Sequence, residues 1–323
     1  MPIIGVTWSQ HRRTTEICDF LGITLFEITY SRRGVYRYIY SAWKTWRLLL
    51  ATRPKVVFIQ SPSLVLALYI NFIKPFLSFK VVMDAHNESV QPYISKSKIL
   101  LHLTDIALAT SDLVIVTNPF LAEFAKKKSA SIYILPDRLP RFSITPKPSN
   151  QSRYVVAVIC TSAPDEPIPA ILTAALMLAD NIEFQFSGEK ELFFETFGDD
   201  LPANVSLTGF LSASEYWNWL SHSDVVLDLT KMPDCLVCGA YEAVAVGTPV
   251  ILSDNLATKD LFGSCALITK NRAEDIAAAI LSARDDSQML VKKTKAFAIE
   301  YEQQWVKKAN HLREIIRQIG AES

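Results

Sequence analysis

Residues 225–253 read V-V-L-D-L-T-K-M-P-D-C-L-V-C-G-A-Y-E-A-V-A-V-G-T-P-V-I-L-S, and they constrain the fold more than any other stretch. The first five residues are an apolar, β-branched run, which predicts a buried strand. Residues 231–238 form a loop with a proline. Residues 239–246 are helix-forming and end at Gly247, a residue suited to the left-handed turn that closes a helix. Thr248 and Pro249 then break the chain before a second apolar run at 250–252. Strand, loop, short helix, turn and strand make one parallel crossover unit. Ligands of open α/β sheets gather at the carboxyl ends of strands, and the amides that open a helix there suit a phosphate. Two carboxylates flank that helix: Asp234 in the loop and Glu242 on the helix, eight positions apart.

The same alternation runs through the chain. In the first half, strand-like runs at 3–7, 24–29, 56–60, 79–83, 113–117 and 131–135 alternate with helical stretches at 12–21, 34–52, 63–77, 95–110 and 119–128. That is the pattern of a doubly wound parallel sheet. A segment with three prolines and few apolar residues follows at 139–153, a linker signature. The pattern restarts with strands at 154–160 and 183–187, and a long charged helix spans 286–320. A length of 323 residues suits two such domains. Their expected bounds are 1–140 and 154–300, with a linker at 141–153 and a terminal helix at 301–323.

The first strand is followed by W-S-Q-H-R-R-T-T-E, not by a G-x-G-x-x-G loop, which argues against a dinucleotide site in this half. His11, Arg12 and Arg13 stand at its carboxyl end as candidates for an acceptor phosphate, or as a solvated helix start. After the strand at 79–83 comes D-A-H-N-E-S. His86, with Asp84 and Asn87 beside it, is the leading site candidate in this half.

The formal net charge of zero hides a division. Up to Lys147 there are 19 basic and 9 acidic residues, a net +10; the remainder carries −10. Within the basic half, 34–52 places Arg37, Lys44 and Arg47 on one helix side with Tyr36, Tyr40 and Trp43 beside them. This fits an interfacial helix on anionic lipid, a helix packed on the sheet with its charges in water, or, least well, a stack on single-stranded nucleic acid. Nucleic acid is therefore not an expected partner. The apolar stretch 61–79 is interrupted by Asn71, Lys74 and Pro75, too early for the roughly 20 residues of a membrane span. Met1 leads directly into the first strand, so no signal peptide is expected. Five cysteines, an odd number, fit reduced thiols in the cytosol. Cys235 and Cys238 have no second pair at comparable spacing, which argues against zinc and for small pocket-lining residues.

The Asp234–Glu242 spacing followed by G-T-P-V-I resembles the donor motif of the GT-B nucleotide-sugar glycosyltransferases of the group 1, family 4-like type. In that family the first acid, a Glu where this chain has Asp234, bonds the donor sugar and the second bonds the ribose. The D-A-H-N and T-S-A-P-D-E segments are similar to those of the dolichol-pathway β-mannosyltransferase. The resemblance implies two Rossmann-like domains facing a cleft, with acceptor contacts at His11, Arg12, Arg13, Asp84 and Asn87. It makes His86, Asp234 and Glu242 catalytic. Donor contacts would come from Thr161, Ser162, Lys190, Gly209, Phe210, the Gly239, Ala240 and Tyr241 amides, and Glu242. The Arg and Lys that neutralise the donor diphosphate in related families are missing from the 161–166 loop; Lys190 and Lys231 are possible replacements. The implied activity is metal-independent hexosyl transfer without a cofactor, from a nucleotide sugar to a glycan or lipid-linked acceptor. Its implied place is the cytoplasm, peripheral at the inner face of the plasma membrane. Retention or inversion at the anomeric carbon is open. The rival expectations are a non-catalytic GT-B-like subunit and a nucleotide-sugar epimerase on the same fold.

Overall fold

The computed structural model describes residues 2–30, 34–61, 63–90, 97–129, 131–145, 153–178 and 181–322. The chain divides into two compact units: Met1–Arg138 with Gln303–Ser323, and Leu139–Glu302.

The first unit alternates β1 (Ile3–Thr7), α1 (Arg12–Leu21), β2 (Thr24–Glu27), α2 (Val35–Thr52), β3 (Val56–Ser61), α3 (Leu64–Leu77) and β4 (Lys80–Ala85). It continues with α4 (Asn87–Val90), α5 (Lys98–Thr110), β5 (Leu113–Val116), α6 (Pro119–Lys126) and β6 (Ile132–Ile134). All six strands are parallel, in the order β2-β1-β3-β4-β5-β6. Val57, Phe58, Ile59, Val81, Val82, Met83, Val114 and Ile115 are fully buried, because helices cover both sheet faces. Each such side chain contributes about 1.5–3 kcal/mol by leaving water. Local chemistry sets the ends. Gly22 closes α1 in the left-handed conformation at φ 73°, and Asn118 caps α6 by accepting from the Leu121 amide, with Pro119 first in the helix. β4 runs two residues past its expected end, so Asp84 lies in the sheet, opposite Gln60 and Ile115. The expected start of α5 touches residues 95–96, which lie outside the described residues.

The second unit contains β7 (Tyr154–Val158), α7 (Ile168–Met177), β8 (Ile182–Ser187), α8 (Lys190–Phe197), β9 (Val205–Gly209) and α9 (Ala213–His222). Then come β10 (Val225–Asp228), α10 (Cys238–Val246), β11 (Val250–Ser253), α11 (Leu256–Phe262), β12 (Leu267–Thr269), α12 (Ala273–Asp285) and α13 (Ser287–Ala321). Its sheet is parallel in the order β12-β11-β10-β7-β8-β9. Counted from β7, this is the 3-2-1-4-5-6 order of dinucleotide-binding sheets, which reverses between β7 and β10. Ser212 and Glu215 form a reciprocal capping box on α9.

The first part of the proline-rich segment is packed and belongs to the second unit. Phe142 stacks on Trp217 at 4.6 Å, and the Thr145 amide and hydroxyl both donate to Asn218 Oδ1. Residues 146–152, the rest of the expected linker, lie outside the described residues. The terminal helix changes unit within its length. Tyr301 packs on Tyr241 and Phe297 in the second unit, whereas Trp305 packs on Phe20 and donates to the Pro136 carbonyl in the first. Among the described residues no helix is long and apolar enough to cross a membrane.

Candidate functional site

In the second unit, strand order reverses between β7 and β10, so the loops after these strands open where an α/β sheet takes its ligand. Thr161 and Ser162 follow β7; Asp228 ends β10, and α10 begins ten residues later. Glu242 lies one turn into α10, half-buried, and its Oε2 accepts a 2.6 Å hydrogen bond from the Tyr216 hydroxyl on α9. A carboxylate accepts hydrogen bonds on both oxygens, which suits the paired hydroxyls of a ribose. Asp234 is half-buried in the preceding loop at φ 51°, a left-handed conformation that Asp tolerates better than most side chains.

The amides expected to seat phosphate are already engaged. The Gly239 N–H donates to Asp228 Oδ2 at 2.9 Å, and the Ala240 N–H turns back to the Val237 carbonyl at 3.3 Å. A Cβ at position 239 would collide with Asp228 and Ile159, so the glycine serves close approach of α10 to the strand ends. Tyr241 is 1% exposed and its ring packs on Phe262 and Tyr301. Two of the three amides expected at the donor diphosphate, those of Gly239 and Ala240, thus bond within the chain. Thr161 shows the same thing: its amide and hydroxyl both donate to the Glu166 carboxylate, at 2.7–3.1 Å. Ser162 beside it has φ 60°. Asp165 accepts from the Thr230 hydroxyl at 2.5 Å, and Lys231 reaches the Pro164 carbonyl.

Asp228 is almost fully buried. Desolvation, then the nearby charge of Glu242, pushes its carboxyl up to about 8, against the Gly239 hydrogen bond that pulls it down. At neutral pH it holds its proton. The Lys190 side chain lies along Gly209, and Phe210 beyond it is 82% exposed. Tyr216, Asp228 and Glu166 were not singled out in the sequence. The D-E pair of the T-S-A-P-D-E segment was the one available signal for Glu166.

The first unit builds a different arrangement. Arg13 is buried and forks onto Asp84, with Nε 3.0 Å and Nη2 2.8 Å from Oδ1; Nη1 reaches Asp137, and Nη2 also donates to the Leu135 carbonyl. Burial alone would lower the guanidinium's affinity for its proton, but the two carboxylates raise it well above the ordinary range. Arg13 and Asp84 are thus corrected from acceptor contacts to a closed internal ion pair, since neither is exposed by more than 3%. Above them stand His11 and His86, with ring centroids 4.4 Å apart, edge to face. His86 Nε2 lies 3.8 Å from Asp84 Oδ2. Burial lowers both imidazoles below the ordinary His range, so both are neutral at pH 7. His11 Nδ1 and His86 Nε2 have no hydrogen-bond partner among the described residues. Arg12 faces Glu16 at 3.8 Å, and Asn87 opens α4.

A family model described as glycosyl transferase-like matches residues 170–315, which include Tyr216, Asp228, Asp234 and Glu242. The sucrose-phosphate synthase of Thermosynechococcus elongatus is similar at a TM-score of 0.79 and 15% identity, covering 100% of both chains. HepE (Alr3699) of Anabaena, solved with UDP and glucose, is similar at 0.77 and 13% identity, covering 98% of this chain and 100% of its own. The chain carries the GT-B fold that these structures share. A Listeria monocytogenes protein assigned as a UDP-N-acetylglucosamine 2-epimerase is similar at 0.56 and 14% identity, covering 96% of this chain and 88% of its own. No curated protein matches in sequence. Among the described residues no group of three His, Cys, Asp or Glu side chains is placed to hold a metal ion. Cys235 and Cys238 are not joined in a disulfide, and burial pushes the Cys160 and Cys265 thiols up to about 12.

Proposed function

We propose that the chain transfers a hexosyl group from a nucleotide sugar to a lipid-linked or polysaccharide acceptor, at the cytoplasmic face of a membrane and without a metal or other cofactor. The observation that carries this reading is Glu242, fixed by Tyr216 at the strand-order reversal, inside the segment that matches the glycosyl transferase-like family. Glu242 takes the ribose hydroxyls and Asp234 the sugar. The diphosphate meets Lys190, Lys231 and the Thr161 amide and hydroxyl, displacing Glu166 from the last two. An acceptor oxygen then bonds to the anomeric carbon while the bond to the diphosphate oxygen breaks. The nucleoside diphosphate leaves with that electron pair, and the acceptor's proton passes to a general base. Stabilisation of the charge building on the diphosphate is the main catalytic contribution.

Support for the membrane comes from α2. Lys44 and Arg47 sit over the Trp43 ring at 5.7 and 5.1 Å, and Tyr36 and Ile39 are 77% and 60% exposed. Such a surface suits an anionic bilayer interface. A second reading, epimerisation of a nucleotide sugar, has the shared fold of the Listeria protein behind it.

Thermal shift of the full chain against UDP, GDP, ADP and dTDP tests the donor. One nucleotide should raise the transition, by about 2.7 kcal/mol of stability at a hundred times its Kd. Glu242→Ala should keep the unliganded transition, lose the shift and abolish sugar transfer. Full transfer by that variant removes Glu242 from the reaction. Release of free nucleotide with an unmodified acceptor favours epimerisation, and nucleotide binding with neither outcome identifies a non-catalytic subunit.

A further inference from the structure

The first unit holds a cavity that none of the candidate residues above line. It measures about 360 Å³ and is lined by Trp8, Ser9, Arg37, Tyr38, Ser63, Leu64 and Val65. Trp8 and Ser9 follow β1, while Ser63 to Val65 follow β3 and start α3. β1 and β3 are the neighbours between which this sheet's strand order reverses, the position where open α/β sheets bind ligands.

The lining chemistry is one-sided. Arg37 lies over the Tyr38 ring at 4.8 Å and spends one N–H on the Tyr38 hydroxyl at 2.9 Å. Among the described residues no carboxylate pairs with it, and none lines the cavity. The Tyr38 hydroxyl accepts that bond and the Ser63 hydroxyl accepts from the Leu66 amide, so each keeps its own O–H to donate. The cavity thus converges donors and one fixed positive charge, at the positive end of the fourteen-residue α3. This selects an oxyanion. The other walls are apolar: Trp8 is anchored by its Nε1–H on Thr45, and Leu64 and Val65 stand opposite. Val65 is 44% exposed, and Val35 and Tyr36, which precede Arg37 on α2, are 70% and 77% exposed. An apolar chain leaving the cavity therefore finds apolar side chains outside it.

We propose that this cavity seats the phosphate and first carbons of a membrane lipid phosphate, with the phosphate on Arg37, Tyr38 and Ser63 and the chain running past Val65 onto α2. This rests on the transfer reading, in which that lipid is the acceptor or carries it. The volume corresponds to about twelve water molecules at roughly 30 Å³ each, enough for a phosphate and the start of a chain.

The test uses the full chain and decyl phosphate below its micelle concentration, followed by calorimetry. Wild type should bind. Arg37→Ala should bind about tenfold more weakly. Val65→Trp, which fills the mouth at an exposed position, should not bind measurably. Decanol and inorganic phosphate should each bind at least tenfold more weakly than decyl phosphate. UDP binding by the same preparations, read in the second unit, should be unchanged in both variants. No decyl phosphate binding by a wild-type chain that still binds nucleotide overturns this proposal alone, as does equal binding by both variants. Wild-type binding to phosphatidylglycerol vesicles without decyl phosphate binding makes the face a bilayer surface and also removes the cavity's role. Loss of nucleotide binding by wild type instead strikes the transfer reading.

Discussion

The two candidate sites treat buried carboxylates in opposite ways. In the first unit Asp84 and Asp137 share the guanidinium of Arg13, and Asp137 is held below the ordinary carboxylate range although burial alone would raise it. In the second unit the Gly239 amide donates to Asp228 and Thr161 donates to Glu166, and Asp228 is buried beside the Glu242 carboxylate with no cation among the described groups that shift it. Asp228 therefore gives up its charge and keeps its proton. The difference teaches what each site can do. A carboxylate paired with a buried cation is a fixture of the fold, here with His86 Nε2 3.8 Å from Asp84 Oδ2. A carboxylate resting on uncharged donors can be displaced by an anion or switched by pH.

The largest expected effect tests the fixture. Arg13→Ala leaves two buried carboxylates without their cation and should cost about 3–5 kcal/mol in urea unfolding. A cost below 1 kcal/mol would make the two units alike. Next, Tyr216→Phe removes a hydrogen bond to a charged group and should weaken nucleotide binding by about 1.5–3 kcal/mol, without moving the unliganded melting transition by more than a few degrees. Unchanged calorimetric affinity would show that Glu242 is positioned by other contacts.

Asp228 supplies the third test. Its folded carboxyl holds a proton to about pH 8, whereas the unfolded one releases it near 4. Between these values the folded state binds more protons, so stability falls as pH rises from about 4 to 8, by at most about 1.4 kcal/mol per pH unit. Asp228→Asn should flatten that fall in melts taken across the range. Glu16, pushed up to about 7 by burial, leaves a residual slope of the same sign. His11 and His86 act in the other direction: held below their ordinary value, they cost stability as pH falls under about 6.5. A slope unchanged by Asp228→Asn means that its carboxyl is ionised in the folded chain. The smallest effect is expected at Glu166→Gln, which weakens the internal competitor for the Thr161 donors. UDP should bind a few-fold more tightly to that variant; weaker binding would show that Glu166 helps to form the site.

Sequence alone determined the elements. Apolar runs of period-two length, Gly22 and Gly247 at helix ends, and Asn118–Pro119 at a helix start act over a few residues, so strand and helix positions could be read locally. The Asp234–Glu242 spacing falls, as expected, on the loop after β10 and on α10. Tertiary structure decided which polar groups meet. Arg13 looked like a surface charge because its partners, Asp84 and Asp137, lie 71 and 124 positions away. Gly239 looked like a phosphate seat because Asp228, which takes its amide, reaches it only when the crossover folds back onto the strand ends. Propensity and periodicity are local quantities, whereas hydrogen bonds and ion pairs are satisfied by whatever the topology brings within about 3 Å.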